Sequence, residues 1–267
     1  MTDDRPLARF CQFAKLPLRG RMISRRHMTL AMVLVLGGCN AQSDEGDRLK
    51  SAMQFPRADR PVSRLGATRF STETERDSMN EAKVVMDLAE LEPGMTVADI
   101  GAGEGYYTVR LAQRVGKDGR VLAEDIDEQA VRQLGLRVER ERLDNVSIRL
   151  GAPDDAKLPD RSFDRIFLVH MYHEVGEPYA FLWHMRPALR PGGRVIVVDV
   201  DRPTDKHGIP PHLLFCEFVA VGFRLTAFER KPELQGYYAQ FEAVGDRPAP
   251  SAIKPCRESG ETRDGQG

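Results

Sequence analysis

The feature that most constrains this chain is a buried, strand-like run that turns into a helix through a cluster of glycines. Residues 97–108 read Val-Ala-Asp-Ile-Gly-Ala-Gly-Glu-Gly-Tyr-Tyr-Thr. Glycine is needed where the backbone turns tightly and approaches a ligand without a Cβ atom in the way. Several nucleotide-binding folds use such a turn, so it predicts a nucleotide-like ligand without identifying it.

Around this turn, apolar strand-like runs alternate with amphipathic helical segments. The predicted strands are 96–100, 121–126, 146–150, 163–170 and 194–200, and the predicted helices between them are 106–115, 128–143 and 179–189. This alternation predicts a parallel sheet with helices on both faces. A helix at 212–221 and two strands, 224–229 and 237–244, follow. The short connection between those two strands favours a hairpin, so one of them must run antiparallel to the rest.

One more helix is predicted in front of the first strand. Thr72 and Glu75 have the spacing of a capping box, and apolar residues then recur at helical spacing. Pro93 and Gly94 end this segment. We therefore expect a helix that begins at about residue 72.

The residues of the glycine turn also separate the families that use it. The dinucleotide fingerprint needs a glycine three places after its second glycine, and Tyr106 stands there instead. An acid, Asp99, lies two residues before the first glycine. This Asp-x-Gly-x-Gly-x-Gly arrangement resembles motif I of the class I S-adenosylmethionine-dependent methyltransferases, and it disfavours a nicotinamide-dependent oxidoreductase.

The resemblance covers about residues 80–244. It implies an α/β fold with a Rossmann-like, doubly wound, seven-stranded sheet of order 3-2-1-4-5-7-6, in which strand 7 is antiparallel. It also implies S-adenosyl-L-methionine as the cofactor, with Asp99 anchoring the network around its amino-acid end. The implied contacts of the turn are Asp99, Gly101, Ala102, Gly103, Gly105 and Tyr106.

The second predicted strand ends in three acids, at positions 124, 125 and 127. A carboxylate at the carboxyl end of a strand can accept both ribose hydroxyls, and Asp125 matches the acid of the family. Ile126 is then expected to pack on adenine. Glu124 and Asp127 are the competitors, although strand alternation argues against either pointing the same way as Asp125.

The segment 150–159 resembles the one that holds adenine after the third strand. Many relatives have an acid directly after its glycine, whereas this chain has Ala152 and Pro153 before Asp154. The adenine amino group is therefore expected to contact either Asp154 or the backbone at Ala152 and Pro153.

The fourth predicted strand ends in a polar loop. Val169 is expected near the cofactor, and His173 matches a histidine common in quinone-type methyltransferases. Such a loop can supply a general base or hydrogen bonds to a methyl acceptor. We take His173, Tyr172 and His170 as catalytic candidates, with Glu174 as a weaker one. A histidine at a strand end can also be a polar bridge within the fold.

Two segments are expected beside these sites. Residues 189–195 match the turn that precedes the fifth strand in the family, which is a structural marker. Residues 202–211, with Asp205, His207 and Gly208, are predicted to cover the substrate side together with an arm at 64–70.

Charge and cysteine content exclude some classes of function. Lysine plus arginine number 39 and aspartate plus glutamate 40, so the net charge of −1 does not favour a nucleic-acid partner. The cysteines at 11, 39, 216 and 256 show no zinc-type spacing, and we expect no metal site. If the chain is processed at Cys39, as argued next, only Cys216 and Cys256 can pair, and the sequence does not say that they do.

The front of the chain resembles an export signal. Basic residues precede a short apolar run and the sequence Leu-Gly-Gly-Cys at 36–39, which is similar to a bacterial lipobox. Residues 24–28 are similar to a twin-arginine signal. The apolar run is shorter than the roughly 20 residues of a membrane-spanning helix. We expect translation to begin at Met22 and the protein to be exported, periplasmic and lipid-anchored at Cys39; a leader without function would leave it cytoplasmic.

The predicted organisation is a leader at 1–39, a linker or arm at 40–70, a methyltransferase domain at 71–244 and a disordered tail at 245–267. The resemblance implies methyl transfer to a small-molecule or lipid-like acceptor. Because the cofactor is made inside the cell, an exported nucleoside-binding module without transfer activity is the alternative.

Overall fold

The protein is described by a computed structural model that covers residues 48–63, 72–234 and 236–257, without the side chain of Glu233. The chain divides into two units, 1–44 and 45–267. The first unit, which contains the predicted leader and Cys39, lies outside the described residues, as does the predicted arm at 64–70. Within the described ranges, no helix is both long and apolar enough to cross a membrane.

One mixed sheet organises the described part of the chain. Its strands are β1 (Thr96–Ile100), β2 (Arg120–Asp125), β3 (Val146–Leu150), β4 (Phe163–Val169), β5 (Leu189–Asp199), β6 (Phe223–Lys231) and β7 (Gly236–Ala243). Their order is β3-β2-β1-β4-β5-β7-β6. Strands β1 to β5 pair in parallel, and β7 is antiparallel to both β5 and β6. The predicted sheet order and the antiparallel seventh strand are confirmed.

Helices cover both faces of this sheet. They are α1 (Glu73–Ser78), α2 (Glu81–Leu88), α3 (Tyr106–Val115), α4 (Glu128–Glu141), α5 (Pro178–Met185) and α6 (Pro211–Ala220). Successive residues of β1 point to opposite faces. Val97 joins the apolar cluster of α2 and α3, whereas Ala98 joins that of α5 and α6. The parallel sheet is therefore buried from both sides, as its apolar strands require.

The helix predicted to begin near residue 72 is two helices. The capping box is present, because the Glu75 N–H donates to Thr72 Oγ1 and the Thr72 N–H donates to Glu75 Oε2. The helix stops after Ser78, and Asn80 takes a left-handed φ of 54° before α2 begins. Asparagine tolerates this conformation better than most residues. The apolar residues keep helical spacing on both sides of Asn80, so the sequence pattern does not reveal the break.

The boundaries around β5 also differ from the prediction. Helix α5 ends at Met185 rather than 189, and β5 begins at Leu189 rather than 194. Leu189 pairs with Phe163 before a shift in register, and regular pairing then starts at Arg194. The turn at 191–193 is thus a bulge inside the strand rather than its start.

The described part of the predicted linker is an arm that packs on the domain. Ala52 and Phe55 are buried in the cluster of α5 and α6. The buried guanidinium of Arg60 donates to Glu217 Oε1 over 2.8 Å. Of the two interpretations, linker or arm, the contacts of residues 48–63 correspond to the arm.

The predicted disordered tail is ordered in its first half. Ile253 and Cys256 are buried, and Cys256 forms a disulfide with Cys216 of α6. The low apolar content of this segment predicts disorder. A disulfide and a buried isoleucine nevertheless anchor it to the domain. Residues 258–267 lie outside the described residues.

Candidate active site

The glycine turn between β1 and α3 has three left-handed residues with different surroundings. The φ angles are 66° at Gly101, 52° at Gly103 and 86° at Gly105. A Cβ atom would lie 3.0 Å from Met171 Cβ at Gly101 and 2.5 Å from Leu134 Cδ1 at Gly105, whereas at Gly103 no atom lies within 4 Å. Gly101 and Gly105 therefore allow Met171 and Leu134 to pack against the turn, and Gly103 leaves one side of the backbone open.

Asp99, the acid before the turn, is a buried carboxyl at the end of β1. It is 3% exposed, and the Thr108 hydroxyl donates to its Oδ2 over 2.6 Å. Burial raises the pKa of Asp99 to about 6, although the hydrogen bond from Thr108 opposes this. Asp99 thus joins the end of β1 to the first turn of α3.

Asp125 contacts the glycine turn directly. Its Oδ2 accepts the Gly103 N–H over 2.8 Å, and its Oδ1 accepts the Asp127 N–H over 2.9 Å. Asp127 caps α4, and Glu124 is turned inward. Of the three acids, Asp125 is the half-exposed one beside the turn, and Ile126 follows it half-buried.

Glu124 is a buried acid behind the turn. It is 1% exposed, and its Oε1 has no hydrogen-bond partner among the described residues. Its carboxyl fills the space that a side chain at 151 would need, since a Cβ on Gly151 would lie 1.7 Å from Oε1. Burial, with the nearby Asp125 charge, raises the pKa of Glu124 to about 8.

The predicted adenine segment forms a tight turn after β3. Ala152 and Asp155 exchange backbone hydrogen bonds of 2.8 and 3.0 Å, and Pro153 at the tip is exposed. Asp154 is only 2% exposed, and its carbonyl oxygen accepts a hydrogen bond from His184. Of the two predicted adenine contacts, the backbone at Ala152 and Pro153 is therefore the more accessible one.

Tyr106, the first residue of α3, is enclosed by charged side chains. The guanidinium groups of Arg76 and Arg110 each lie 3.8 Å from the centre of its ring. Its hydroxyl donates to Asp77 Oδ1 over 3.0 Å. Its side chain thus holds α1 against the turn, which leaves its backbone as the part that faces the glycines.

His170 follows Val169 at the end of β4 and lies beside Glu81. The residue has a left-handed φ of 54°, and its Nε2 lies 3.5 Å from Glu81 Oε1. Arg76 and the Tyr107 hydroxyl also contact the carboxyl of Glu81. Burial favours a raised pKa for Glu81, but the bonds from His170 and Arg76 outweigh it and lower the pKa to about 2.

Tyr172 does not have the position predicted for a catalytic residue. Its side chain is fully buried, and its hydroxyl donates to Glu217 Oε2 over 2.9 Å, beside Arg60. Burial also raises the pKa of Tyr172 well above its usual value, which disfavours it as a base. The contacts assign Tyr172 a structural position between the arm at 48–63 and α6, and its catalytic role stays a prediction.

His173 lies in a different group of polar side chains. Its Nδ1 lies 2.9 Å from Oδ1 of Asp199, which is fully buried at the end of β5. Its Nε2 lies 4.0 Å from Glu174 Oε1, and His207 Nδ1 lies 3.9 Å from that same oxygen. The ring of His173 meets that of His207 edge-on, with 5.7 Å between centres.

Two members of this group, Asp199 and His207, are not among the catalytic candidates that the sequence predicts. Asp199 read only as the last part of an apolar strand, and His207 was noted only as part of a covering segment. The position of Asp199 in its strand could have indicated it. Asp199 ends β5, and the carboxyl ends of neighbouring parallel strands lie at one edge of a sheet.

A surface cavity lies elsewhere in the molecule. It has a volume of about 490 Å³ and opens between Arg186, Gly193 and Gly245. This position is at the amino end of β5, opposite the edge that carries Gly103 and Asp199. It contains none of the predicted site residues.

The central part of the chain is similar in sequence to known methyltransferases. Residues 91–214 match a family model described as a methyltransferase domain. The chain is 31% identical over 125 residues to a ubiquinone/menaquinone biosynthesis C-methyltransferase of Hydrogenovibrio crunogenus, covering 45% of this chain and 47% of that protein. It is 31% identical over 114 residues to a protein-L-isoaspartate O-methyltransferase of Methanothrix thermoacetophila, covering 43% and 51%. The chain thus spans about half the length of these relatives.

Solved structures share the fold. A SAM-dependent methyltransferase of Aquifex aeolicus aligns with a TM-score of 0.55 at 22% identity, over 64% of this chain and 97% of that one. The cyclase SpnF aligns with a TM-score of 0.56 at 17% identity, over 73% and 92%. At these identities the likeness concerns the fold alone, and the second structure bears the name of a different reaction.

Proposed function

We propose that this chain, whose residues 91–214 match a methyltransferase domain on the class I sheet, transfers a methyl group from S-adenosylmethionine to a small-molecule or lipid-like acceptor. The observation that carries the proposal is the hydrogen bond from the Gly103 N–H to Asp125 beside the open side of Gly103. It places a carboxylate and a bare backbone together at the edge where open α/β sheets bind ligands.

The residues at this edge fit the cofactor. Asp125 is a half-exposed carboxylate that can accept ribose hydroxyls, and Gly103 admits a ligand without a Cβ atom in the way. The buried Asp99 accepts a hydrogen bond from Thr108 and so joins the end of β1 to the first turn of α3. When bound, S-adenosylmethionine supplies an electrophilic methyl group on a sulfonium centre.

The chain's own contribution is alignment and proton handling at the acceptor. Methyl transfer is an in-line displacement, so holding the two partners aligned is worth up to about 7–11 kcal/mol. Asp199 accepts the Nδ1–H of His173, which leaves Nε2 with a lone pair for a proton from an acceptor. Such a base contributes less, about 10²–10⁴-fold in rate.

The proposed transfer covers more than one class of acceptor atom. The two relatives named above carry the names of a C-methyltransferase and an O-methyltransferase, so carbon and oxygen acceptors both have precedents. Nitrogen remains open as well. Neither His173 nor Glu174 distinguishes these classes, because a base is useful for each of them.

The experiment uses the full chain in two steps. Calorimetry with S-adenosylmethionine, S-adenosylhomocysteine and NAD tests the cofactor, and methyl release in a metabolite extract tests the transfer. Binding of the two sulfur nucleosides with release of methyl supports the proposal. Binding without release supports the alternative of a nucleoside-binding module, and binding of NAD alone excludes both.

We also propose that the protein is exported and lipid-anchored at Cys39. The disulfide between Cys216 and Cys256 supports this, because disulfides persist mainly in oxidising compartments. Metabolic labelling with a fatty acid should mark the wild type and not a Cys39→Ala variant. A wild type that stays unlabelled and remains with cytoplasmic proteins on fractionation contradicts the proposal.

A further inference from the structure

His173, Glu174 and His207 form a recessed group of three potential metal ligands. Each offers one ligand atom, and the three atoms lie within 4.8 Å of one another. The distances of 4.0 and 3.9 Å to Glu174 Oε1 exceed hydrogen-bond length, so the three atoms lie close together without bonding to one another. Zinc with ligands at about 2.0–2.2 Å in tetrahedral geometry needs them roughly 3.4 Å apart. An inward shift of about 1 Å would therefore complete such a site.

Asp199 prepares His173 for this role. The carboxylate holds Nδ1, so Nε2 is the atom that faces Glu174 and His207. A histidine that ligates a metal almost always donates its other ring N–H to a carboxylate, a carbonyl or water, which fixes the tautomer and raises the basicity of the ligand atom. Asp199 is fully buried, and its charge would offset that of a divalent cation.

His207 is held in place by the arm. Its φ is 52°, a conformation that disfavours most side chains, and its backbone N–H donates to Ser63 Oγ over 3.0 Å. Its Nδ1 is buried and has no hydrogen-bond partner among the described residues. Backbone strain that the surroundings impose is typical of functional positions. A buried nitrogen without a partner is likewise costly unless a ligand satisfies it.

We infer that His173 Nε2, Glu174 and His207 Nδ1 bind one divalent transition-metal ion. Two imidazoles and one carboxylate suit zinc, cobalt or iron better than magnesium, which prefers oxygen ligands. Three protein ligands leave a coordination position open, as in catalytic rather than structural sites. If the proposed methyl transfer holds, a bound ion occupies the lone pair of His173 Nε2, so the base role proposed above belongs to the metal-free protein.

The inference replaces the expectation that the chain has no metal site. That expectation rested on scattered cysteines, whereas the ligands here are two neighbouring residues and a histidine more than thirty positions away. No spacing rule for zinc sites covers this arrangement.

The test is calorimetry of the untagged, metal-free full chain with Zn²⁺, Co²⁺ and Mg²⁺. We expect one Zn²⁺ or Co²⁺ per chain, no comparable binding of Mg²⁺, and at least a tenfold loss of affinity in both His207→Ala and Glu174→Gln. His212→Ala, which removes an exposed histidine of α6, is the matched control and should bind like the wild type. Co²⁺ absorption bands should weaken in the same two variants.

Absence of binding by the wild type, equal binding by His207→Ala, or Mg²⁺ binding as tight as Zn²⁺ would overturn the inference. Circular dichroism of each variant establishes that it is folded. S-adenosylhomocysteine is titrated in parallel with the same protein. Failure of that titration with Zn²⁺ binding intact counts against the proposed function alone, and the reverse counts against the metal site alone.

Discussion

The Nδ1 atom of His173 lies 2.9 Å from Oδ1 of Asp199, which joins the loop after β4 to the end of β5. We expect Asp199→Asn to lower the methyl-transfer rate at least about tenfold, because an amide holds the His173 tautomer less firmly than a carboxylate. The affinity for S-adenosylhomocysteine should not change. Zn²⁺ affinity should fall about 10–100-fold, as for other residues that orient a metal ligand. An unchanged rate and an unchanged Zn²⁺ affinity would assign the pair to packing.

Asp125 and Asp127 make a matched pair for testing the cofactor site. Asp125→Asn removes the charge beside Gly103, and the loss of charge-assisted hydrogen bonds costs about 1.5–3 kcal/mol. Calorimetry should show S-adenosylhomocysteine affinity falling ten- to a hundredfold. Asp127→Asn should bind normally, because asparagine caps a helix about as well as aspartate. Equal losses in both variants would contradict the assignment of Asp125.

Gly103 and Gly116 share a left-handed φ and open surroundings, but only Gly103 lies in the glycine turn. From backbone strain alone, alanine should cost about 1–2 kcal/mol of the free energy of unfolding at Gly103. At Gly116, whose ψ of −172° is nearly exclusive to glycine, it should cost about 1–3 kcal/mol. Only Gly103→Ala should also abolish S-adenosylhomocysteine binding, because its methyl group would occupy the ligand's space. Denaturation and calorimetry separate the two effects. Normal binding of S-adenosylhomocysteine by Gly103→Ala would show that the glycine turn does not contact the cofactor.

Glu124 should give the folded protein a specific pH dependence. Its pKa is about 8 when folded against 4.5 when unfolded, so the folded state takes up its proton more readily. Stability from this group is complete below about pH 4.5 and is lost as the pH rises to about 8. Asp99 contributes a similar loss at lower pH, up to about 6. Measurements between pH 6.5 and 8 therefore isolate Glu124.

In that window Glu124→Gln should flatten the decline in the free energy of unfolding, which amounts to about 1–2 kcal/mol in the wild type. Urea denaturation at a series of pH values measures it. Glu128→Gln, which changes an exposed acid of α4, should keep the wild-type slope. A slope that persists in Glu124→Gln would show that another group causes it.

The disulfide between Cys216 and Cys256 closes a loop of 40 residues. Chain entropy predicts that its removal costs about 3–4 kcal/mol of the free energy of unfolding. Cys216→Ser, Cys256→Ser and the double variant should show the same loss in urea denaturation. Reduction should destabilise the wild type and leave the variants unchanged. A reductant that has no effect on the wild type would contradict the bond.

Much of the fold follows from local patterns. The apolar run at β1 and its glycines specify a strand, a turn and a helix, and the resemblance that Asp99 and Tyr106 support supplied the sheet order. The break at Asn80 was missed because helical spacing continues across it. The order of the segment around Cys256 was missed because a disulfide is a tertiary contact, which composition does not encode.

Some features of the candidate site likewise follow from local patterns, and others depend on tertiary contacts. The strand's alternation and the family pattern agree on Asp125, which lies beside Gly103, and its contact with a ribose stays a prediction. The burial of Tyr172 could not be predicted because its partners, Glu217 and Arg60, come from distant parts of the chain. The meeting of His173 with His207 likewise depends on how the loop after β5 folds back, and no local signal fixes that.

The candidate residues at the sheet edge fall into two groups, each on a pair of strands. Gly103 and Asp125 follow β1 and β2, whereas His173 and Asp199 follow β4 and β5. On the proposed function, mutations in the loops after β4 and β5 should alter which acceptor reacts and leave the binding of the nucleoside unchanged. The cyclase that shares this fold bears the name of a different reaction, so the fold alone does not determine which chemistry such an edge carries.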